Sequence, residues 1–110
     1  MKNRRQTQSP ASSNPRVATP SISFGKSAIL RKELERVFPN SFFNESGQVF
    51  SEVKLVEFLK DADAAIIGTE IITDQILNKA SRLKIISKYG VGLDNIDQEV
   101  LKSRNIALGW

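Results

Sequence analysis

The fold is decided by residues 83 to 97, which read LKIISKYGVGLDNID. An apolar run from Leu83 to Ser87 is followed by two closely spaced glycines and then by Asp97, a residue type that caps helices. This order predicts a strand, a loop and a helix. Because glycine has no Cβ, the main chain of Gly90, Val91 and Gly92 can approach a ligand and offer it N–H donors, which suit a carboxylate.

Outward from this segment, strand-like and helix-like segments alternate along the chain. Strands are predicted at Val17–Thr19, Ser41–Phe43, Ala64–Ile67, Leu83–Ser87 and Ile106–Leu108. Helices are predicted to start after the capping residues Ser27, Ser51, Thr73 and Asp97. Since each connection is long enough for a crossover, the five strands should form a parallel sheet with helices on both faces. We expect a flavodoxin-like, doubly wound α/β fold with strand order 2-1-3-4-5.

The overall composition is that of one ordinary globular domain. The 110 residues are 40% hydrophobic and 25% charged and include no Cys, so neither a disulfide framework nor thiolate chemistry is expected. This fits a cytoplasmic protein. No apolar run approaches the ~18 residues of a membrane span, so no membrane partner is expected.

The basic charge of the chain belongs to its first 15 residues. Lys2, Arg4 and Arg5 lie there without any acidic residue, and the rest of the chain is close to neutral. The Ser, Gln, Asn and Pro content of residues 1–15 predicts a disordered basic tail, with a transit peptide as the alternative. A near-neutral domain argues against a nucleic-acid partner, and three charges in a tail would bind nucleic acid only weakly.

A second candidate loop follows the first predicted strand. Gly25-Lys26-Ser27 invites comparison with a P-loop, but that motif needs a glycine five residues before Gly25, where the chain has Pro20. What remains is a candidate secondary anion site at Ser23, Gly25 and Lys26. A capped helix start that binds nothing is the alternative.

The Gly90–Gly92 loop also has a purely structural alternative, which is a tight turn with Asp97 as the helix cap. It is not a dinucleotide fingerprint, because Asn95 stands where the third glycine would be required. No metal site is predicted.

The whole string from Leu83 to Asp97 is much more specific than its glycines. It resembles the signature segment of the substrate (catalytic) domain in the D-isomer-specific 2-hydroxyacid dehydrogenases, the family that includes phosphoglycerate dehydrogenase. Further similar segments follow the family's order: Ser23-Phe24 with the helix from Ser27, Asp63–Gly68, Thr73–Ala80 and Arg104–Gly109. The resemblance extends over roughly residues 16 to 110 and implies the N-terminal part of that domain.

This resemblance implies an NAD-dependent oxidoreductase acting on the CH-OH group of 2-hydroxy acids, with 3-phosphoglycerate as one candidate substrate. It also implies that the main-chain N–H groups of Val91 and Gly92, at the turn made by Gly90, bind the carboxylate of the hydroxy or oxo acid. Lys88 stands where many members have Arg, so a positive charge is retained. A lysine ammonium cannot form the two parallel hydrogen bonds that an arginine guanidinium makes to a carboxylate. Asn95 and its neighbour Asp94 are expected to hold the loop.

The rest of the family's machinery is not recognisable in this sequence. The Gly-rich NAD fingerprint, the substrate-binding Arg and the Glu–His pair lie further along the family's chain than Trp110, and this sequence contains no His. We therefore expect no nucleotide-binding domain, no catalytic residue and no cofactor site here, and no turnover by this chain alone.

One alternative is a truncated, non-catalytic binding or regulatory protein, as the family's transcriptional co-repressor branch suggests. An aromatic Trp110 beside a sheet edge further predicts a marginal domain that forms homo-oligomers.

Overall fold

The computed structural model describes residues 14–90 and 92–109. Residues 1–13 of the predicted tail, Val91 and Trp110 lie outside these described residues. The strands are β1 (Val17–Thr19), β2 (Ser41–Phe43), β3 (Ala64–Ile67), β4 (Ile85–Lys88) and β5 (Ala107–Gly109). The helices are α1 (Ile22–Lys26), α2 (Ala28–Val37), α3 (Glu52–Leu59), α4 (Asp74–Lys79) and α5 (Gln98–Ser103).

The five strands form one parallel sheet in the order β2-β1-β3-β4-β5. This is the order 2-1-3-4-5, and it confirms the doubly wound α/β fold. At the centre of the sheet, Ala65 of β3 is paired with Ala18 of β1 on one side and with Ile86 of β4 on the other. All three side chains are buried, as a parallel sheet requires.

The four predicted helix starts are confirmed, each with the predicted capping residue. The side chains of Ser27, Ser51, Thr73 and Asp97 each accept a hydrogen bond from a main-chain N–H in the first turn of their helix. Such caps satisfy N–H groups that have no partner within the helix, which explains why they could be recognised from local sequence. The strands β4 and β5 begin slightly later than predicted.

The segment predicted as a loop after β1 is instead mostly helical, so the loop interpretation of Ser23, Gly25 and Lys26 was wrong. Ser21 caps α1, its Oγ accepting a hydrogen bond from the Phe24 N–H at 3.3 Å. Because α1 is only five residues long, it contains too few residues for a helical apolar pattern to reveal it.

The core lies mainly between the sheet and three of the helices. Buried apolar residues of α3, α4 and α5 form one cluster with the inward residues of the strands, whereas α2 has no buried residue. On β4, Ile86 faces this cluster and is 0% exposed, while Ile85 points to the opposite face and is 43% exposed. Leu34 and Phe38, at the end of α2, line a cavity of about 600 Å³ on that second face together with Ile85.

Gly68, directly after β3, is fixed by a close approach of the chain that follows β1. A Cβ at Gly68 would lie 2.9 Å from the Ser21 Oγ and 3.1 Å from the Ser21 Cβ. The Gly68 N–H donates to the Glu70 carboxylate at 2.7 Å. A methyl group at position 68 would therefore have to displace the Ser21 side chain.

We expect Gly68→Ala to lower the free energy of unfolding by about 1–3 kcal/mol, because the new methyl group overpacks against Ser21. Urea denaturation followed by circular dichroism measures this change. Gly109→Ala is the matched control, since a Cβ there meets nothing within 4 Å, and it should change the free energy by less than about 0.5 kcal/mol. Equal effects of the two substitutions would show that the approach to Ser21 is not restrictive.

Candidate functional site

The carboxyl ends of β1, β3 and β4 open into one cavity of about 530 Å³. Its walls come from the segments that follow β1 and β3 and from the end of β4, with Val49 added from the chain after β2. Ligands of open parallel sheets bind at this edge, because loops from several strands converge there. The larger cavity beside α2 is mostly apolar, and its Asp63 and Arg82 form an ion pair with each other.

The cavity brings together candidate residues from two loops that are distant in sequence. Lys88 and Gly90 line it from the end of β4, and Ser23 and Lys26 line it from α1. Gly25 is not among the lining residues, and its carbonyl accepts a hydrogen bond from Arg31 Nη1 at 3.3 Å. Residues of the two predicted anion sites therefore face the same space.

The two glycines of the loop after β4 adopt backbone conformations that other residues rarely take. Gly90 has φ of 107° and Gly92 has φ of 83°. A Cβ on Gly92 would meet nothing within 4 Å, and one on Gly90 would meet only the Lys88 Nζ, at 3.9 Å. Glycine is thus required here by the backbone conformation and not by packing. Both residues are exposed, so their main chain is accessible to a ligand. Val91, the third predicted member of this loop, lies outside the described residues.

Lys88 and Glu70 place opposite charges in the buried part of the cavity wall. Lys88 is the last residue of β4 and is 9% exposed, and Glu70 follows β3 and is 5% exposed. Charged groups are rarely buried to this extent outside functional sites or ion pairs. Lys88 is the cation that the sequence predicted beside residues 90–92, which we call the glycine loop, and it lines the cavity. The burial of Lys88 was not apparent from the sequence.

Asn95 fastens the glycine loop to the segment after β3. Its Nδ2 donates to the Gly68 carbonyl at 2.9 Å and to the Glu70 carbonyl at 2.6 Å, and its own carbonyl accepts from the Ile72 N–H at 2.9 Å. The prediction that Asn95 holds the loop is confirmed. The side-chain amide of Asn95 therefore links the glycine loop to the segment after β3.

The α1 wall is joined to the β4 wall by an aromatic contact. The ring of Phe24 meets the ring of Tyr89 edge to face, with centroids 5.2 Å apart, and the Tyr89 N–H donates to the Ile67 carbonyl at 2.8 Å. Ser21, Thr69, Glu70 and Tyr89 also line the cavity, and none of them was predicted from the sequence. All four lie shortly after the end of a predicted parallel strand, and this position is the signal that could have identified them.

Residues 26–109 match the family model of the D-isomer specific 2-hydroxyacid dehydrogenase, catalytic domain. The chain belongs to this family. It is 42% identical over 55 residues to the D-3-phosphoglycerate dehydrogenase of Methanocaldococcus jannaschii, a match that covers 48% of this chain and 10% of the relative. It is 38% identical over 74 residues to the glyoxylate reductase of Pyrococcus furiosus, covering 66% of this chain and 22% of the relative. The matched region is thus a minor part of these relatives' length.

Solved structures share the fold of this chain. The PH0520 protein from Pyrococcus horikoshii OT3 is similar with a TM-score of 0.74 and 27% identity, over 86% of this chain and 27% of that chain. The NAD+-bound 3-phosphoglycerate dehydrogenase of Entamoeba histolytica has a TM-score of 0.71 at 20% identity, over 86% of this chain and 32% of that chain, which shows the shared fold. This family's fold is therefore present in the described residues.

The described residues do not fit the NAD cofactor that the family uses. A dinucleotide fingerprint needs a third glycine where this chain has Asn95, and the Asn95 side chain is engaged in the two hydrogen bonds to the segment after β3.

Within residues 14–90 and 92–109 no group of His, Cys, Asp and Glu is suited to hold a metal ion. In the same ranges no helix has the length and apolar character needed to cross a bilayer.

We expect Asn95→Ala to lower the free energy of unfolding by about 1–3 kcal/mol, because it removes the donor shared by two carbonyls of the segment after β3. Urea denaturation measures the loss. Asn78→Ala is the control, since Asn78 is exposed and pairs with Arg104 at the surface, and it should cost less than about 1 kcal/mol. If both variants had the same stability as the unmodified chain, the Asn95 link would not hold the two walls together.

Proposed function

We propose that this chain is the N-terminal, substrate-binding part of an NAD-dependent oxidoreductase that acts on the CH-OH group of 2-hydroxy acids. The observation that carries the proposal is the family match over residues 26–109, because these residues include Lys26, Glu70, Lys88 and Gly90 of the cavity. The proposal requires a nucleotide-binding domain as partner, since the described residues do not fit NAD.

In this proposal the glycine loop binds the carboxylate of the substrate through the main-chain N–H groups of Val91 and Gly92. Positive φ angles and exposure at Gly90 and Gly92 support this role, because consecutive N–H groups in such turns can converge on an anion. The Lys88 ammonium lies beside the loop and adds attraction for a negative charge. That attraction is stronger in a partly buried site than in bulk water.

The names of the relatives support a carboxylic acid as the ligand class. D-3-phosphoglycerate dehydrogenase and glyoxylate reductase are named for 3-phosphoglycerate and glyoxylate, which share a carboxylate next to the carbon that is oxidised or reduced. When bound in an intact family member, NAD supplies or accepts the hydride. The residues of this chain bind and orient the acid by its carboxylate.

We expect Gly92→Ala to reduce the affinity for D-glycerate by at least about tenfold, because a side chain at this φ forces the loop into another conformation. Isothermal titration calorimetry of the 110-residue chain measures the change. Gly47→Ala is the matched control. Gly47 has φ of 75° and also has nothing within 4 Å of an added Cβ, so the backbone strain is similar but lies outside the glycine loop.

The affinity of Gly47→Ala for D-glycerate should equal that of the unmodified chain. If Gly92→Ala also bound D-glycerate with unchanged affinity, the glycine loop would not be the carboxylate site.

We expect the purified 110-residue chain to show no NADH-dependent reduction of glyoxylate. The sequence offers no imidazole for proton transfer near neutral pH, and the described residues do not fit the nicotinamide cofactor. The loss of NADH absorbance is followed after circular dichroism has shown that the sample is folded. Turnover above that of a heat-denatured control would contradict this part of the proposal.

A further inference from the structure

We propose that Glu70 makes this chain prefer a 2-hydroxy acid to the corresponding 2-oxo acid, because its carboxylate accepts a hydrogen bond from the C2 hydroxyl group. The inference rests on the proposed function and adds a specificity-determining residue to it. A 2-oxo acid carries the same carboxylate but has no hydrogen-bond donor at C2. It would therefore leave the carboxylate of Glu70 without a partner.

Glu70 is a buried acidic residue in the wall of the cavity at the carboxyl ends of β1, β3 and β4. It is 5% exposed, and the described part of the chain contributes no other acidic residue to this wall. Glu70 also lines a neighbouring cavity of about 350 Å³, as do Val49 and Thr69. The carboxylate therefore lies where two cavities adjoin.

Both the main chain and the side chain of Glu70 are held by hydrogen bonds. Asn95 Nδ2 donates to the Glu70 main-chain carbonyl at 2.6 Å, and the Gly68 N–H donates to the Glu70 Oε1 at 2.7 Å. A group that is already fixed in place loses little conformational freedom when a ligand binds. The carboxylate is thus prepared to recognise a ligand group in one position.

The second oxygen of this carboxylate is available to a ligand. Among the described residues, the Gly68 N–H is the donor that the carboxylate has, and it donates to Oε1. The Glu70 Oε2 is nevertheless not one of the buried side-chain atoms without a partner, which in the described residues are represented by Thr19 Oγ1. Oε2 is therefore in contact with solvent, and an ionised carboxylate oxygen can only accept hydrogen bonds.

The carboxylate also lies on the side of the cavity where the C2 oxygen of the acid is expected. Asn95 bonds the glycine loop to the carbonyls of Gly68 and Glu70, so the segment that carries Glu70 adjoins this loop. In the proposed function the loop holds the carboxylate of the acid, and the C2 oxygen is attached to the next carbon. This oxygen is therefore presented close to the segment after β3.

The two charges in the wall match a hydroxy acid better than an oxo acid. Lys88 attracts the carboxylate of either ligand, whereas Glu70 is favourable only towards a hydrogen-bond donor. A C2 hydroxyl supplies that donor, but an oxo group turns its own lone pairs towards Oε2. A site that hydrogen-bonds a hydroxyl group rejects the analogue without it, because the polar group of the site is then left unpaired.

The test compares three acids on the full 110-residue chain by isothermal titration calorimetry, with no nicotinamide present: D-lactate, pyruvate and (R)-2-methoxypropanoate. D-lactate and pyruvate differ only at C2, and D-lactate should bind at least about tenfold more tightly, as expected for a hydrogen bond to a charged group. The methoxy acid keeps the tetrahedral C2 but has no donor there. It should bind as weakly as pyruvate.

Glu70→Gln should reduce the preference for D-lactate over pyruvate to less than about threefold. The amide keeps an oxygen that can accept from the Gly68 N–H, and its NH₂ group can donate to an oxo oxygen. Glu35→Gln is the matched control, because it makes the same change of charge at an exposed residue of α2 outside the cavity. It should preserve the preference. Circular dichroism checks that both variants are folded.

Each outcome is decisive. If the unmodified chain binds D-lactate and pyruvate equally, or binds the methoxy acid as tightly as D-lactate, the inference is overturned while the proposed function stands. This comparison needs no variant, so it decides the inference even if Glu70→Gln does not fold. A folded Glu70→Gln that keeps the full preference, or a Glu35→Gln that loses it equally, also overturns the role of Glu70. If the chain binds none of the acids, the proposed function fails and the inference fails with it.

Discussion

At the edge of the sheet where β1 and β3 end, Ser21 packs directly against Gly68, and the rest of the site is arranged around this contact. A side chain at position 68 would clash with Ser21, so the missing Cβ sets how closely the two strand ends approach. The Gly68 N–H and carbonyl then fix Glu70 and Asn95 in turn. Asn95 in turn connects this segment to the glycine loop, so the ends of β1, β3 and β4 line one cavity.

The sequence predicted those parts of the structure that depend on local chemistry. Helix caps such as Ser27 and Thr73 were recognisable, because a cap needs only its own hydroxyl and the first turn that follows. The strand order followed from apolar runs separated by crossovers, which allow few topologies. The turn at Gly90 and Gly92 was also recognisable, because glycine adopts positive φ angles without a steric penalty and both residues do so here.

What the sequence did not reveal depends on tertiary contacts. Helix α1 is too short for a periodic pattern, and its Phe24 packs on Phe43 and Tyr89, which are distant in sequence. Lys88 and Glu70 are buried although they are charged, and burial depends on the tertiary structure around each residue, which the local sequence does not record. For the same reason, Ser23 and Lys26 were predicted separately from Lys88 and Gly90, although all four residues line the same cavity.

If the chain holds an organic acid as proposed, the acid binds in this cavity and not in the larger apolar one beside α2. The most direct measurement is a ¹⁵N-resolved NMR titration of the full chain with D-glycerate, which follows every backbone amide at once. We expect the shifts to concentrate at Lys88, Gly90 and Gly92. Shifts confined to residues around Leu34, Phe38 and Ile85, or no shifts at any concentration of the acid, would contradict the account.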